Sequence, residues 1–499
     1  MTNPGTYVIA RLRRGFGLRA LGPNEARILF DAAVAFGAGI VGAVESTVFM
    51  RHAGPDAALV AAVLVAPVVT VAASWAFGVY GRFRAASGRV KASWIAAATI
   101  AAAAILGIVS RDPAFVLVWF AVAAPPMILA RLLLAVVNGT RRTLINVAVN
   151  DRGPVLVIGG AGYIGTHAVE QLLENGHAVR VLDRLMYGGN ALRDFEHHPR
   201  FEFIEGDAAD ISKLTIAMRG ASGVVHLAGL VGDPACAVDP EFTRHTNIVV
   251  TRMVRTVAYS MGIRRFVFAS SCSVYGVSDE PVNELSPLSP VSLYAQTKID
   301  SERELLSNVP DNFFTTILRF ATVFGHSRRP RFDLVGNLFT AQALNDGVIT
   351  VIGPDQWRPF VHVRDLGRAV AVVLGTDAGI VQNQIFNVGD ERLNTTILRL
   401  AQAVQGVVEE IRPVEITITE NPDDPRNYAV SFDKIHDMLG FRAKMTLEDG
   451  VREMVHYHQS GAYEDYHRAE YSNVAMTRHA VERFQDPEEL SRIYAPLAR

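Results

Sequence analysis

Residues 155–165 read VLVIGGAGYIG, and this stretch decides the fold of the second part of the chain. The aliphatic residues at its start predict a short buried strand, the glycines a tight turn, and residues 166–175 a helix. Gly160, Gly162 and Gly165 fit the pattern G-x-G-x-x-G, while Gly159 with the last two fits G-x-x-G-x-x-G. Backbone without Cβ can approach a pyrophosphate closely, and a helix N-terminus offers N–H groups and a positive dipole end. The stretch therefore favours a dinucleotide site over a strand-to-helix turn without a ligand.

An acidic residue stands where a dinucleotide site needs one. A second strand is predicted over residues 178–182 and ends in Asp183, about 20 positions after the glycines, where a carboxylate can accept hydrogen bonds from the adenosine ribose. Such a carboxylate favours NAD, because it repels the 2′-phosphate of NADP. Arg184 follows directly and weakens this preference without reversing it.

Length and composition limit the other possibilities. A chain of 499 residues allows two to four domains. The net charge of −2 gives no indication of a nucleic-acid partner. The two cysteines exclude a disulfide scaffold and a thiolate zinc site, and no histidine spacing suggests a metal. The mean hydropathy of +0.20 is high for a soluble enzyme, and the apolar residues are unevenly distributed.

The apolar residues concentrate in the first part of the chain. Crossing about 30 Å of hydrocarbon takes about 20 apolar residues, and four stretches approach or exceed this length. They are residues 28–50, 57–80, 94–110 and 114–137. Arginine and lysine cluster before the first stretch, between the second and third, and after the fourth, which predicts that both ends face the cytoplasm. We therefore expect a cytoplasmic segment (1–27), then a four-helix transmembrane domain (28–140) that anchors the protein in the lipid bilayer of the inner membrane.

The second part of the chain alternates predicted strands and helices, as in a doubly wound parallel sheet of the Rossmann type. Within it, Tyr294 and Lys298 are four positions apart and share one face of a predicted helix. A nearby ammonium favours the phenolate, so we expect Lys298 to lower the pKa of Tyr294 and make it a general base. The alternative is a solvated helix face, but the glycine turn, Asp183 and a serine cluster precede the pair in the order expected for catalysis.

Further motifs carry a family resemblance that covers roughly residues 154–450. They include GGAGYIG (159–165), SSCSVYG (270–276), YAQTK (294–298), LRFATVFG (318–325) and RPFVHVRD (358–365). With them the chain resembles the extended short-chain dehydrogenase/reductase family, in its nucleotide-sugar epimerase/dehydratase branch. We assign residues 153–459 to this domain, with a smaller C-terminal substrate-binding part, and residues 460–499 to a polar tail that forms surface helices. FGVYGRFR (77–84) resembles the membrane domains of polysaccharide-biosynthesis enzymes.

The resemblance implies roles for individual positions. It implies a catalytic set of Ser271, Tyr294 and Lys298. The positions implied to bind NAD are Gly159, Gly162, Tyr163, Ile164, Gly165, Asp183, Arg184, Asp207, Ala208, Leu227, Ala228, Gly229, Asn247, Ser270, Tyr294, Lys298 and Phe320. Those implied to bind a nucleotide-diphosphate sugar are Ser271, Thr322, Asn337, Arg358 and Arg426.

Departures from the family pattern reduce the number of family reactions that this chain is expected to catalyse. In the family's 4,6-dehydratases an Asp-Glu pair follows the catalytic threonine, whereas Cys272 and Ser273 stand here. An asparagine common in 4-epimerases is replaced by Thr322, which leaves the sugar open. We expect a membrane-anchored, homodimeric, NAD-dependent epimerase acting at C4 for glycan synthesis. The alternatives are a nucleotide-sugar dehydrogenase or ketoreductase, a 4,6-dehydratase-like enzyme, and a non-catalytic membrane scaffold.

Overall fold

The computed structural model describes residues 31–38, 40–41, 43, 57–76, 88–110, 115–123, 153–307, 309–310, 312–419, 426–463 and 465–484. The chain divides into two units, Met1–Thr143 and Leu144–Arg499.

The described part of the first unit is helical. Its helices include α1 (Ala57–Ala76) and α2 (Gly88–Ser110), with further helical residues at 31–38 and 115–123. None of the helices in the described part of the chain combines the length and the apolar character that a bilayer crossing requires. The four predicted spans extend past the described residues, the segment 1–27 lies outside them, and the anchor stays a prediction.

Small side chains form the interior of this first unit. Ala62, Ala66 and Ala102 are fully buried, which lets the helix backbones approach closely. The indole of Trp119 is also buried, and its Nε1 donates a hydrogen bond of 3.1 Å to the carbonyl oxygen of Ala35. Each helix therefore contributes its alanine-rich side to a common core.

A seven-stranded sheet forms the centre of the second unit, and its strands run in the order β3-β2-β1-β4-β5-β6-β10. Every pair in it is parallel, as the alternation of strands and helices predicted. The strands are β1 (Val155–Ile158), β2 (Val179–Asp183), β3 (Phe201–Glu205), β4 (Gly223–His226), β5 (Arg265–Ser271), β6 (Phe314–Phe320), β7 (Thr322–Phe324), β8 (Val348–Ile352), β9 (Trp357–His362), β10 (Gln384–Val388), β11 (Asn394–Thr396) and β12 (Glu415–Thr419).

Helices cover the sheet and build the smaller part of the unit. They are α3 (Gly165–Glu174), α4 (Ile211–Met218), α5 (Asp233–Ala237), α6 (Pro240–Arg244), α7 (Val250–Ser260), α8 (Leu293–Leu306), α9 (Val335–Asn345), α10 (Val363–Gly375), α11 (Ala378–Val381), α12 (Ile397–Val408), α13 (Asp433–Leu439), α14 (Leu447–Gln459) and α15 (Asn473–Phe484). A π-helical turn, His245–Val249, precedes α7, and short 3₁₀ turns occur at Asn190–Phe195, Cys272–Tyr275, Glu391–Leu393 and Ala469–Tyr471.

Strand β1 shows why this sequence forms a sheet buried on both faces. Val155 and Val157 belong to one apolar core, whereas Leu156 and Ile158 belong to the core on the other side. Successive side chains of a strand point to opposite faces, so four aliphatic residues in a row supply both layers. The same strand lies between β2 and β4, where the strand order reverses. Ligands of open parallel sheets bind in the crevice at the carboxyl ends of such strands.

A second apolar core belongs to the smaller part. Phe324 and Phe360 from the three-stranded sheet β11-β9-β7 pack there with Leu400, Val404 and Val451 from helices α12 and α14. One residue separates β6 from β7, so this part begins at the carboxyl edge of the large sheet. It thereby forms the other side of the crevice that the strand order predicts.

The tail contains the predicted helix, α15, but parts of the segment before it are less exposed than its polar composition suggested. Tyr463 and Tyr466 are buried around Phe332, and Tyr471 packs against the same cluster. The backbone N–H of Phe332 also donates to the carbonyl oxygen of Tyr471, at 3.3 Å. The tail is thus packed into the loop that follows β7.

Candidate active site

The glycine turn after β1 has a backbone that only glycine can provide. Gly159 has φ of +85°, and a Cβ there would lie 2.7 Å from the backbone nitrogen of Ala228. A Cβ on Gly165 would lie 2.2 Å from the carbonyl oxygen of Gly159. Helix α3 begins at Gly165, and no side chain caps its N-terminus at Ile164. The turn therefore presents bare backbone and an uncapped helix end, which suits a pyrophosphate.

Asp183 lies at the carboxyl end of β2, beside this turn. Its Oδ2 accepts a hydrogen bond of 3.0 Å from the N–H of Ala161, and its Oδ1 accepts one of 2.8 Å from Leu185. Burial raises the pKa of this carboxyl above its usual range. Each carboxylate oxygen has a second lone pair, so the group can still accept from a ribose hydroxyl.

Arg184 points to Asp207, which the resemblance places near the adenine. Arg184 Nη1 lies 3.1 Å from Asp207 Oδ2. Asp207 Oδ1 also accepts from the N–H of Ala209, at 2.8 Å, and the adjacent Ala208 is buried. An arginine whose charge is matched by a carboxylate attracts a 2′-phosphate less, which agrees with the prediction that Asp183 favours NAD.

The loop after β4 is tied both to the glycine turn and to the catalytic helix. The N–H groups of Leu227 and Ala228 donate to the carbonyl oxygen of Ile158, at 2.9 and 3.0 Å. Asn247 Oδ1 accepts from the N–H of Leu230 at 2.8 Å, and its Nδ2 donates to Thr297 Oγ1 at 3.1 Å. Asn247 lies in the π-helical turn, a form that is frequent at functional sites. It thus positions the loop implied to line the nicotinamide, next to Gly229.

Ser271, Tyr294 and Lys298 come together as the sequence predicts. Ser271 ends β5 and forms a hydrogen bond with Tyr294 near the start of α8. Lys298, one helical turn further on, is 3% exposed and places Nζ 5.8 Å from the centre of the Tyr294 ring. The same Nζ donates a hydrogen bond of 2.8 Å to the carbonyl oxygen of Ala269.

The expected direction of the Tyr294 pKa is wrong for this structure. Burial raises the pKa of Tyr294, and the hydrogen bond with Ser271 opposes that rise only in part. Burial also lowers the pKa of Lys298 to about 8. Both shifts have the same cause, because removal from water disfavours the charged form of each group. The helix spacing located the pair correctly, but burial sets the direction of both pKa shifts.

Ser270 and Phe320 are implied cofactor positions whose side chains are buried beside the site. Ser270 Oγ donates to Glu302 Oε1 at 2.5 Å, and Glu302 forms a buried ion pair with Arg319, with Nη2 and Oε2 2.6 Å apart. Phe320, at the end of β6, is 5% exposed. The ion pair lies behind Ser271 and fixes the ends of β5 and β6.

The predicted substrate residues occupy two different places. Arg358 is buried, and it donates to the backbone carbonyl of Arg426, whose guanidinium lies 3.3 Å from Asp233 Oδ2. Asp233 Oδ1 in turn accepts from Ser292, the N-cap of α8, at 2.6 Å. This pair of arginines is therefore connected to the helix that carries Tyr294. Asp233, the first residue of α5, forms the link.

Asn337 lies elsewhere, in a buried network. It is 1% exposed, and its amide bonds to the backbone of Gly325 and Arg331 and to the hydroxyl of Tyr163. A direct contact with a diphosphate requires one of these bonds to be exchanged. Thr322 begins β7 and is half-buried.

Sequence reasoning missed two buried arginines beside these residues. The guanidinium carbon of Arg329 lies 3.7 Å from the centre of the Tyr187 ring, and the guanidinium carbon of Arg331 lies 5.9 Å from the centre of the Tyr163 ring. Arg331 also lowers the pKa of Tyr294 through its charge, against the larger effect of burial. The signal for them was the basic run RRPR at 328–331, which follows two residues after the motif LRFATVFG (318–325).

Three comparisons agree with this geometry. A family model described as NAD dependent epimerase/dehydratase family matches residues 155–389. The chain is 30% identical over 315 residues to UDP-glucose 4-epimerase of Lacticaseibacillus casei, which covers 58% of this chain and 91% of that protein. The solved structure of the dTDP-glucose 4,6-dehydratase DesIV from Streptomyces venezuelae, with NAD bound, is 28% identical with a TM-score of 0.56, over 62% of this chain and 98% of that one. The structure of UDP-glucose 4-epimerase from Thermotoga maritima, solved with UDP-glucose, is 25% identical with a TM-score of 0.55. The match covers 62% of this chain and 99% of that one.

The residues present fit NAD, the dinucleotide bound in the DesIV structure. The glycine turn has no space for side chains, so a ligand can contact its backbone directly. Asp183 lies at the end of β2, and the charge of Arg184 is paired with that of Asp207. The chain is an enzyme with NAD as its cofactor, and it belongs to the NAD-dependent epimerase/dehydratase family.

Proposed function

We propose that this enzyme interconverts nucleotide sugars that differ in configuration at C4. The observation that carries the proposal is the assembly of Ser271, Tyr294 and Lys298 beside the glycine turn, in a site without the acid-base pair that dehydration needs. When bound, oxidised NAD supplies a positive charge and accepts a hydride, which it later returns.

The protein's own residues handle the proton. As the phenolate, Tyr294 would take the proton of the C4 hydroxyl while Ser271 hydrogen-bonds the same sugar oxygen, and a ketone would form at C4 as its hydrogen passes as a hydride to oxidised NAD. Lys298 keeps a positive charge near the phenol, since a pKa of about 8 leaves it mainly protonated at neutral pH. After the ketone presents its other face, Tyr294 returns the proton and the hydroxyl has the opposite configuration.

The residues after Ser271 distinguish epimerisation from 4,6-dehydration. Loss of water across C5 and C6 needs an acid and a base beside those carbons. Cys272 is fully buried, and its thiol donates to the carbonyl oxygen of Arg319 at 3.3 Å. Burial raises the pKa of this thiol, so it stays protonated. Ser273 is 3% exposed and has no acidic group. Both observations support epimerisation.

The decisive experiment is a product assay with the purified full-length chain. Incubation with UDP-glucose, UDP-galactose, UDP-glucuronic acid and dTDP-glucose, followed by proton NMR, is expected to show conversion of one sugar to its C4 epimer without net formation of NADH. Tyr294→Phe is expected to abolish the conversion, whereas Tyr259→Phe, at an exposed tyrosine of α7, leaves it unchanged. A 4-keto-6-deoxy product or net NADH formation contradicts the proposal.

We further propose that the first unit anchors the enzyme in the cytoplasmic membrane, with the catalytic unit in the cytoplasm, to supply glycan synthesis there. The supporting observation is the distribution of side chains: most buried residues of the interior are alanines, beside Leu106, Phe115 and Trp119, while many large aliphatic residues face outward. The exposed residues include Leu64, Val68, Ile108 and Leu117, which are 63%, 68%, 78% and 72% exposed. Apolar surface of this extent suits hydrocarbon better than water.

Membrane fractionation tests the anchor. The full-length chain is expected to stay in the membrane pellet after an alkaline carbonate wash and to leave it only in detergent. Replacing Leu64 and Val68 together by serine is expected to weaken this retention, whereas Ile211→Ser, at an exposed isoleucine of the catalytic unit, does not. A wild-type protein found in the carbonate supernatant contradicts the proposal.

A further inference from the structure

The first residue of α15 ties together two loops at the crevice. Asn473 is 1% exposed although it lies in the polar tail. Its Oδ1 accepts a hydrogen bond of 2.7 Å from Arg329 Nη2, in the loop after β7. Its Nδ2 donates one of 3.1 Å to the carbonyl oxygen of Val231, in the loop after β4. One amide therefore links the loop after β4 of the large sheet to the loop after β7 of the three-stranded sheet.

The far end of α15 packs near the same loop after β4. Ala480 and Val481 pack against a small apolar cluster that Tyr294 and Met186 also join. The buried members of this cluster are Leu230, Cys236 and Phe242. Met186 belongs to the loop after β2, three positions beyond Asp183. Helix α15 thus contacts the loops after β4 and β7, and it shares the cluster around Leu230 with the loop after β2. Strands β2 and β4 flank β1 at the point where the strand order reverses.

Arg329 explains why the Asn473 contact matters energetically. Arg329 is 4% exposed, and its Nε has no hydrogen-bond partner among the described residues. Burial lowers the pKa of Arg329 to about 10, and the neighbouring charge of Arg331 acts in the same direction. A buried cation that loses a hydrogen-bond acceptor is costly, because no water replaces the lost bond. Asn473 therefore holds the loop after β7 in place through a charged donor.

We propose that α15 is a clasp that holds the loops after β4 and β7 together at the crevice and keeps NAD bound between turnovers. The reason for such retention rests on the proposed function: an epimerase returns the hydride to the sugar, so NAD ends each cycle in the form in which it began. Asn473 acts as a positioning residue at one end of the clasp, and Val481 packs at the other.

The rate of NAD release tests the clasp without using epimerase activity. The full-length protein is loaded with NAD and desalted, and released NAD is trapped by alcohol dehydrogenase with ethanol and followed by NADH fluorescence. Asn473→Ala is expected to release NAD about ten-fold faster, since a hydrogen bond to a charged group contributes enough for a factor of that order. Asn345→Ala is the matched control, because its Nδ2 bonds only within α9, to the carbonyl oxygen of Ala341 at 2.8 Å.

A second variant keeps the test decisive if Asn473→Ala does not fold. Val481→Ala removes part of the apolar packing at the other end of α15 and is expected to release NAD a few-fold faster, at about 0.8 kcal/mol per buried methylene.

Release at the wild-type rate from every folded variant overturns the clasp, as does equal acceleration by Asn345→Ala. If the variants release NAD faster while the wild type epimerises no sugar, the clasp stands and the proposed function fails. If the wild type epimerises a sugar and the variants release NAD at an unchanged rate, the proposed function stands and the clasp fails.

Discussion

Replacing Gly165 by alanine tests whether the turn after β1 holds the cofactor through bare backbone. The new Cβ would lie 2.2 Å from the carbonyl oxygen of Gly159 and 2.8 Å from the carbonyl carbon of Gly160, whereas ordinary contact begins at 3.4 Å. The turn must therefore move by about 1.2 Å, the difference between 3.4 and 2.2 Å. Overpacking of this kind costs about 1–3 kcal/mol. The shift displaces the same backbone that is to bind the pyrophosphate, so we expect NAD affinity to fall about 100-fold.

Isothermal titration with NAD measures the loss, and urea unfolding followed by circular dichroism reports whether the fold survives. Gly406→Ala is the control, since a Cβ in that position of α12 meets no atom within 4 Å. Alanine inside a helix is favoured over glycine, so this variant is expected to be more stable by about 0.5–1 kcal/mol and to bind NAD normally. An NAD affinity of Gly165→Ala within a factor of three of the wild type refutes the assignment of this turn to the pyrophosphate.

Three further predictions concern the catalytic groups and their support. Ser271→Ala is expected to lower kcat at least about 100-fold in the NMR assay while the free energy of unfolding changes little. Glu302→Gln leaves Arg319 buried without its charge partner, so urea unfolding is expected to show a loss of about 3–5 kcal/mol. Lys298 has a pKa of about 8 in the folded protein against 10.5 unfolded, so the unfolded chain binds more protons between these values. The stability of the wild type is therefore expected to rise from about pH 8 to 10.5 relative to Lys298→Met, and a constant difference contradicts the shift.

Local spacing allowed much of the large sheet and part of the site to be predicted. The run 155–158, the glycine turn and Asp183 lie within one strand-helix-strand unit, so their relation in space follows from their order in sequence. Tyr294 and Lys298 share a helix face for the same reason. The family motifs extended this local interpretation to Ser271, which ends a neighbouring strand of the same sheet.

Contacts between distant segments could not be predicted in this way. Arg329 and Asn473 are 144 residues apart, and nothing in either neighbourhood indicates the other. The family pattern likewise placed Asn337 on the substrate, but its amide is enclosed by Tyr163, Gly325 and Arg331. Which side chain faces the crevice depends on how the smaller part of the unit packs, and a single sequence carries no direct signal for that packing.

The protonation of the catalytic pair depends on this packing too. From the spacing alone, Lys298 should hold Tyr294 as a phenolate at rest. The structure instead buries both groups, which raises the pKa of Tyr294 and lowers that of Lys298 to about 8. At pH 7 Tyr294 is therefore a neutral phenol. The charged form of Lys298 outnumbers its neutral form by about ten to one. The base that the reaction needs is thus not present in advance. Tyr294 must therefore lose its own proton before it can accept one from the sugar, and the positively charged nicotinamide ring of oxidised NAD would favour that loss.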